Sequence, residues 1–303
     1  MRSSAASCKR GRIDLTARMD RPVATRAQHA PLHLAILGHP VAHSRSPDMH
    51  NAALSYLGLA PRYEAIDVLP HELDRVLAQL AARQTGGNVT IPHKEAVANI
   101  ASRTELAERV GAVNTFWHDN GRLIGHNTDV AGASATIHAL CEAPVDAMRC
   151  AVLGAGGAAA AVLVALEDLG CTDISISSRS GARASRLIDR LHVSAHVAPS
   201  AEAAARGADL VINATPIGLY DDATPLGVEH LEKGAAVFDL VYRAGETAWV
   251  RQCRAMGHRA VDGFPMLIEQ GAAAFACWFG VKPPSDVLIH GARRGSGTSY
   301  GTP

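Results

Sequence analysis

Ala151-Val-Leu-Gly-Ala-Gly-Gly-Ala158 is the stretch that decides the fold. Three apolar residues suited to a buried strand run into a glycine turn, and the segment 158–170, AAAAVLVALEDLG, continues with the composition of a helix. Strand, G-x-G-x-x-A/G turn and helix in that order make the phosphate-binding corner of a dinucleotide domain. Gly154 permits the tight turn and Gly156 lets the backbone approach a pyrophosphate. The first turn of the helix then offers unpaired N–H groups and its positive dipole end. A plain strand-to-helix turn is the bland alternative, and the flanking pattern weighs against it.

The next strand, Asp173-Ile-Ser-Ile-Ser-Ser178, ends in Arg179-Ser180, where an NAD site usually offers a carboxylate to the ribose. No carboxylate stands there. Arg179 and Arg183 instead bring guanidinium forks that suit the extra 2′-phosphate of NADP, with Ser178 and Ser180 as hydrogen-bond donors. Exposed arginines on an Arg-rich chain are the alternative. ADLVINAT and AAVFDLV continue the same strand-then-helix rhythm downstream.

Working toward the N-terminus, LHLAILG, DMHNAALSYLG, PRYEAIDV, HELDRVLAQLAA, GGNVTI and EAVANIA alternate short apolar runs with helical periods. Two α/β units with mostly parallel sheets are predicted. They join near TDVAGASATIHALCEAPVDAM, a helical segment that Pro144 should end. MLIEQGAAAFACWFG reads as a helix with an apolar face that folds back onto the first unit. The expected layout is a disordered extension over 1–30 and a substrate-binding catalytic domain over 31–131, completed by 266–285. A Rossmann-type dinucleotide domain follows over 147–263, then a flexible tail over 287–303 that includes GARRGSGTSYGTP, with the active site in the cleft between the domains. Met19 could equally be the true start.

A chain of 303 residues with 48% apolar residues can bury two cores. Lys+Arg and Asp+Glu are 29 each, so no global field draws the protein to nucleic acid or an anionic membrane. A small-molecule partner is expected. No window approaches the ~18 consecutive apolar residues of a membrane span, and the N-terminus lacks a secretory apolar core, so a cytoplasmic location is expected. Cys8, Cys141, Cys150, Cys171, Cys253 and Cys277 form no C-x-x-C pair, which argues against a zinc or redox motif. His39, His43, His93 and His126 crowd the motifs without ligand spacing, and no metal is expected.

Only Lys9, Lys94, Lys233 and Lys282 are lysines, so each position counts. Gly87-Asn-Val-Thr-Ile-Pro-His-Lys94 runs from a strand into a turn, placing Asn88, Thr90 and Lys94 where α/β strand ends present ligand groups. His43-Ser-Arg-Ser-Pro47 carries hydroxyls at Ser44 and Ser46 that could meet a ligand carboxylate or diol. It equally suits an ordinary helix start with Pro at the first position. Gly111-Ala-Val-Asn-Thr115 and Gly125-His-Asn-Thr-Asp-Val-Ala-Gly132 add amides, hydroxyls and one carboxylate.

GHPVAHSRSPDMHN, NVTIPHK, GAVNT, NTDVAG, GAGGAA, NATPIG and DGFPMLIEQGAAAF, in this order, resemble the shikimate dehydrogenase family from Leu34 to Gly280. The resemblance implies reversible, NADPH-dependent reduction of 3-dehydroshikimate to shikimate, a step toward chorismate and the aromatic amino acids. It implies that Lys94 and Asp129 form the catalytic pair. Shikimate would be held by Ser44, Ser46, Thr90, Asn114, Asp129, Tyr242 and Gln270, with Asn88 nearby. Cofactor contacts would fall on Gly154, Ala155, Gly156, Gly157, Ala158, Ser178, Arg179, Arg183, Thr215, Leu240, Gly263 and Glu105. A monomer or homodimer is expected.

The chemistry agrees. Reducing a ketone with hydride builds negative charge on oxygen, so a proton donor must stand within ~3 Å of it. A lysine ammonium can donate and its amine can accept in reverse, whereas guanidinium hardly deprotonates. Three departures stand out: Ser178-Arg179-Ser180 where the family usually has Asn-Arg-Thr, Pro216-Ile217 in place of small polar residues, and Pro265 where glycine is common. The last two bear on nicotinamide packing. Two rival functions follow, a quinate or aminoshikimate dehydrogenase using NAD, and a non-catalytic dinucleotide or metabolite sensor.

Overall fold

The computed structural model describes residues 30–294. Residues 1–29 of the expected extension and 295–303 of the expected tail lie outside the described residues. The first unit runs β1 (His33–Gly38), α1 (Ser46–Tyr56), β2 (Tyr63–Asp67), α2 (Leu73–Ala82), β3 (Thr85–Val89), α3 (Lys94–Ile100), β4 (Ser102–Arg103), α4 (Glu105–Val110), β5 (Thr115–Asp119), β6 (Arg122–His126) and α5 (Asp129–Leu140). The second runs β7 (Arg149–Leu153), α6 (Gly157–Asp168), β8 (Asp173–Ser177), α7 (Gly181–Leu191), β9 (Ala195–Val197), α8 (Ala201–Ala205), β10 (Leu210–Asn213), β11 (Ala236–Asp239), α9 (Ala248–Ala255) and β12 (Ala260–Val261). Two closing helices follow, α10 (Phe264–Phe279) and α11 (Ser285–Arg294).

The second sheet has the order β12-β11-β10-β7-β8-β9 with all strands parallel. Helices cover both faces, which is why Cys150–Leu153 and Leu210–Asn213 are buried without alternation. The order reverses between β7 and β10. That opens a crevice at their carboxyl ends, the usual ligand position in open α/β sheets.

The first sheet keeps the expected mostly parallel pattern, with β5 as its one antiparallel strand. Its order is β2-β1-β3-β5-β6-β4, with β1, β2 and β3 parallel, β4 and β6 parallel, and β3–β5 and β5–β6 antiparallel. The cause is the turn between β5 and β6, where Asn120 and Gly121 both take positive φ (48° and 76°). Asn-Gly in that conformation joins adjacent antiparallel strands directly. The hairpin aligns Thr115 opposite His126, so the GAVNT and GHNTD segments emerge side by side.

Helices α5 and α10 tie the units together. Val130, Ala133 and Ile137 of α5 and Met266 of α10 pack into the core built on α6. Leu267, Ile268 and Phe275 of α10 pack with Leu34 and Ile36 of β1, which fits the fold-back expected for this helix. Helix α5 ends at Leu140, ahead of Pro144, which leads a short 3-10 turn.

The tail expected from 287 is a correction. Residues 285–294 form α11, with Leu288 and Ala292 fully buried against α1. Gly291 makes the close approach possible, since a Cβ there would lie 2.7 Å from the Asp48 carbonyl. The Gly- and Arg-rich composition of the segment hides a helix whose apolar contacts are supplied by α1. Among the described residues no helix is long and apolar enough to cross a membrane.

Candidate active site

A cleft of about 780 Å³ lies between the carboxyl ends of the two sheets. From the second sheet it receives the turn after β7. Gly154 has φ +122°, and a Cβ there would sit 2.8 Å from the Ala214 carbonyl oxygen. A Cβ on Gly156 would meet nothing within 4 Å, because that backbone faces the open crevice. Gly156 also precedes α6 without any side-chain cap, so the first N–H groups of a twelve-residue helix point into the cleft unanswered. An anionic group such as a pyrophosphate fits this cradle.

The adenosine side lies at the end of β8. Ser178 Oγ donates to the Ser180 carbonyl at 2.7 Å, and Ser180 caps α7 by accepting from the Arg183 N–H at 3.3 Å. Arg183 Nε donates to the Ala155 carbonyl at 2.8 Å, and its Nη2 pairs with Glu95 of α3 at 2.9 Å. That ion pair crosses from one unit to the other. Arg179 is exposed, lines the cleft, and makes no hydrogen bond or ion pair with the described residues. It is free to take a phosphate. Thr215 is held by Asn213, whose Oδ1 accepts from both its N–H and its hydroxyl at 3.0 and 2.6 Å. Behind it, buried Asp239 accepts from Asn213 Nδ2 at 2.8 Å and from the Thr247 hydroxyl at 2.8 Å. Burial pushes its carboxyl up to about 6 against those hydrogen bonds.

The first sheet brings the polar side chains. Lys94, the first residue of α3, donates from Nζ to Asp129 Oδ2 at 2.6 Å, with side chains 17% and 7% exposed. Asp129 is the first residue of α5, where the helix dipole favours a carboxylate. Its other oxygen accepts from Asn114 Nδ2 at 2.7 Å, and its N–H is tied to Asn127 Oδ1 at 3.0 Å. Asn114 also holds the Thr128 N–H through Oδ1 at 2.7 Å and reaches Gln270 Oε1 at 3.4 Å. Ser44, Ser46, Asn88, Thr90, Tyr242 and Gln270 complete this wall, and Leu240 and Gly263 line the other.

Of the residues expected from the sequence, Glu105 stands apart. It is exposed on the first turn of α4, outside the cleft lining. Thr104 turns the chain there as the helix cap, and the acidic side chain serves the helix N-terminus facing solvent. Pro265 is a second correction. It opens α10 and lines a separate groove with Thr136 and Leu140, so its ring does not touch the cleft, whereas Pro216 and Ile217 do line it.

The four histidines separate. His39 contacts Asp67 at 2.5 Å, His93 meets the Val68 carbonyl at 2.6 Å, and His126 meets the Thr104 hydroxyl at 2.7 Å. His43 lines the cleft beside Tyr220, and burial lowers its pKa. No group of three or more His, Cys, Asp or Glu among the described residues could hold a metal ion. The sequence places Asn127 and Thr128 in a motif without showing that they brace Asn114 and Asp129, and it does not show the Asn213–Asp239–Thr247 network. Their only signal was the density of Asn and Thr in the motif loops.

Fold and site together define a dinucleotide-binding oxidoreductase that works between two α/β units. The shikimate dehydrogenase substrate binding domain model matches residues 36–116, and a shikimate dehydrogenase (NADP(+)) of Symbiobacterium thermophilum is 44% identical over 269 residues, 84% of this chain and 91% of that protein. The chain belongs to the shikimate dehydrogenase family. Its residues 263–289 match the shikimate 5′-dehydrogenase C-terminal domain, and 149–242 match the model described as NADP oxidoreductase coenzyme F420-dependent. The crystal structure of shikimate 5-dehydrogenase from Thermus thermophilus in complex with NADP(H) and shikimate superposes with TM-score 0.78 at 39% identity, over 87% of this chain and 99% of that one. Quinate dehydrogenase from Corynebacterium glutamicum in complex with NAD gives TM-score 0.78 at 30% identity, over 87% of this chain and 99% of that one.

Proposed function

We propose that this protein reduces 3-dehydroshikimate to shikimate with NADPH, reversibly, as a step toward chorismate and the aromatic amino acids. The observation that carries the reading is the 2.6 Å Lys94–Asp129 contact in the same cleft as the unanswered glycine turn before α6. The 31–131 unit with 266–285 acts as the substrate domain and 147–263 as the dinucleotide domain.

When bound, the reduced nicotinamide supplies hydride to the substrate carbonyl carbon. The chain supplies the rest. Lys94 donates a proton from its ammonium to the ketone oxygen as charge develops there, and its neutral amine takes the proton back in the reverse direction. Asp129 holds the ammonium in place, and Asn114 and Asn127 fix Asp129 so that neither partner needs to reorganise. Ser44, Ser46, Thr90, Asn88, Tyr242 and Gln270 hold the carboxylate and hydroxyls of the substrate. The backbone from Gly154 to Ala158 takes the pyrophosphate, Ser178, Arg179 and Arg183 take the 2′-phosphate, and Thr215, Leu240 and Gly263 flank the rest. Closure of the cleft excludes water before transfer.

We place the enzyme in the cytoplasm, as a monomer or homodimer. The test is a kinetic assay of shikimate or quinate against NADP or NAD, read from reduced nicotinamide. The highest kcat/KM is expected with shikimate and NADP. A higher value with quinate and NAD would reassign the substrate, and binding of both ligands without turnover would make the protein a sensor.

A further inference from the structure

We propose that Tyr63, a buried residue outside the cleft lining, is a positioning residue that sets Asn88 to accept a hydrogen bond from a ligand hydroxyl. The inference rests on the reading of the cleft as a shikimate site and adds how one of its walls discriminates.

Asn88 is 4% exposed and its amide orientation is forced. Nδ2 lies 3.0 Å from the Asn114 backbone carbonyl, which can only accept. It also lies 3.0 Å from Thr115 Oγ1, which accepts from it while its own proton goes to Asn114 Oδ1 or Thr128 Oγ1, each at 3.0 Å. Both amide hydrogens are therefore spent inside the protein. What remains is Oδ1, and Tyr63 Oη donates to it at 2.7 Å. That oxygen keeps a second lone pair, which can receive an O–H and cannot donate to a carbonyl or carboxylate.

Tyr63 is itself held for this task. Its backbone is clamped by the Asn51 side chain, which donates to the Tyr63 carbonyl at 2.8 Å and accepts from its N–H at 2.9 Å. Its ring stacks on His50 at 4.6 Å between centroids. Burial pushes the phenol well above its ordinary value, so the donating proton stays on. One buried hydroxyl thus stands behind Asn88, a residue assigned to the substrate.

Tyr63→Phe keeps the stacked ring and removes only Oη. Calorimetry on the full chain should show the Kd for shikimate raised about 2- to 10-fold, the span of one hydrogen bond, with the Kd for NADP unchanged. A core residue acting through packing alone would weaken both ligands or neither. The Asn88→Ala background adds the second arm, since Tyr63→Phe should cost nothing further there. An unchanged Kd for shikimate in Tyr63→Phe, or the same penalty in both backgrounds, would overturn the proposal. If Tyr63→Phe is less stable, measurement below its melting point, with NADP binding as internal control, keeps the comparison valid. Absence of shikimate binding to the unaltered protein would instead sink the reading of the cleft.

Discussion

The two sheets meet the same cleft with opposite materials. The first presents buried side chains, Asn88, Asn114, Asp129 and Gln270, in one network of hydrogen bonds backed by Asn127 and Thr128. The second presents backbone, a glycine turn and a helix N-terminus with open space before them. A polyol is distinguished by where its hydroxyls point, which demands fixed donors and acceptors. A pyrophosphate is recognised by charge, which oriented N–H groups supply without side chains. In the proposed function, chemistry and substrate choice belong to the first sheet and cofactor choice to the second.

The largest test of that division is Lys94→Ala. It should lower kcat by on the order of 10² to 10⁴ with KM values within a few fold, because the ammonium acts on charge that appears only in transit. An unchanged kcat in steady-state assays would remove Lys94 from the chemistry.

Stability against pH should also separate the two sides, through one buried group in each. His50 of the first unit has its pKa lowered by burial to about 3. As pH falls from about 6.5 toward 3, the unfolded chain takes a proton that the folded protein refuses, so stability drops. Asp239 of the second unit is raised to about 6. Between about pH 4 and 6 the unfolded chain has released a proton that the folded protein retains, so this contribution is lost as pH rises. Each is worth on the order of 3 to 5 kcal/mol over its window. In melting curves, His50→Phe should flatten the acid side and Asp239→Asn should remove the opposing slope. Parallel shifts of both variants would refute the assignment.

Arg179→Ala comes next. Losing a charge-assisted contact should raise KM for NADP by about 10- to 100-fold and leave KM for NAD within a few fold. Equal effects on both cofactors would place 2′-phosphate recognition elsewhere. The smallest effect is expected where the halves touch. Glu95→Gln breaks the half-exposed pair with Arg183, worth about 0 to 1 kcal/mol, and frees that guanidinium. KM for NADP should fall slightly, more so at low salt, and a rise would mean the pair helps to bind the cofactor.

Local chemistry made much of this legible. The glycine turn, the strand runs and the NVTIPHK and NTD motifs are contiguous, and each carries its physical meaning within ten residues or so. The β5–β6 hairpin is marked by Asn120-Gly121, a signal two residues long between motif loops that are themselves rich in Asn and Gly. Glu105 and Pro265 lie outside the cleft lining, which sequence order could not show because it says nothing of which side of a helix start faces the cleft.

By itself, then, the sequence determined two α/β units, a dinucleotide turn, and a lysine and a carboxylate suited to proton transfer. Tertiary structure alone decided that residues 285–294 are a helix, since their apolar contacts come from α1, more than two hundred residues away. It likewise decided that Arg45, between the two serines, anchors on the Ala292 carbonyl at 3.1 Å, and that Tyr63 stands behind Asn88. The physical reason is common to these cases. A hydrogen bond or a buried methyl group is defined by both partners, and the chain order supplies only one of them at a time.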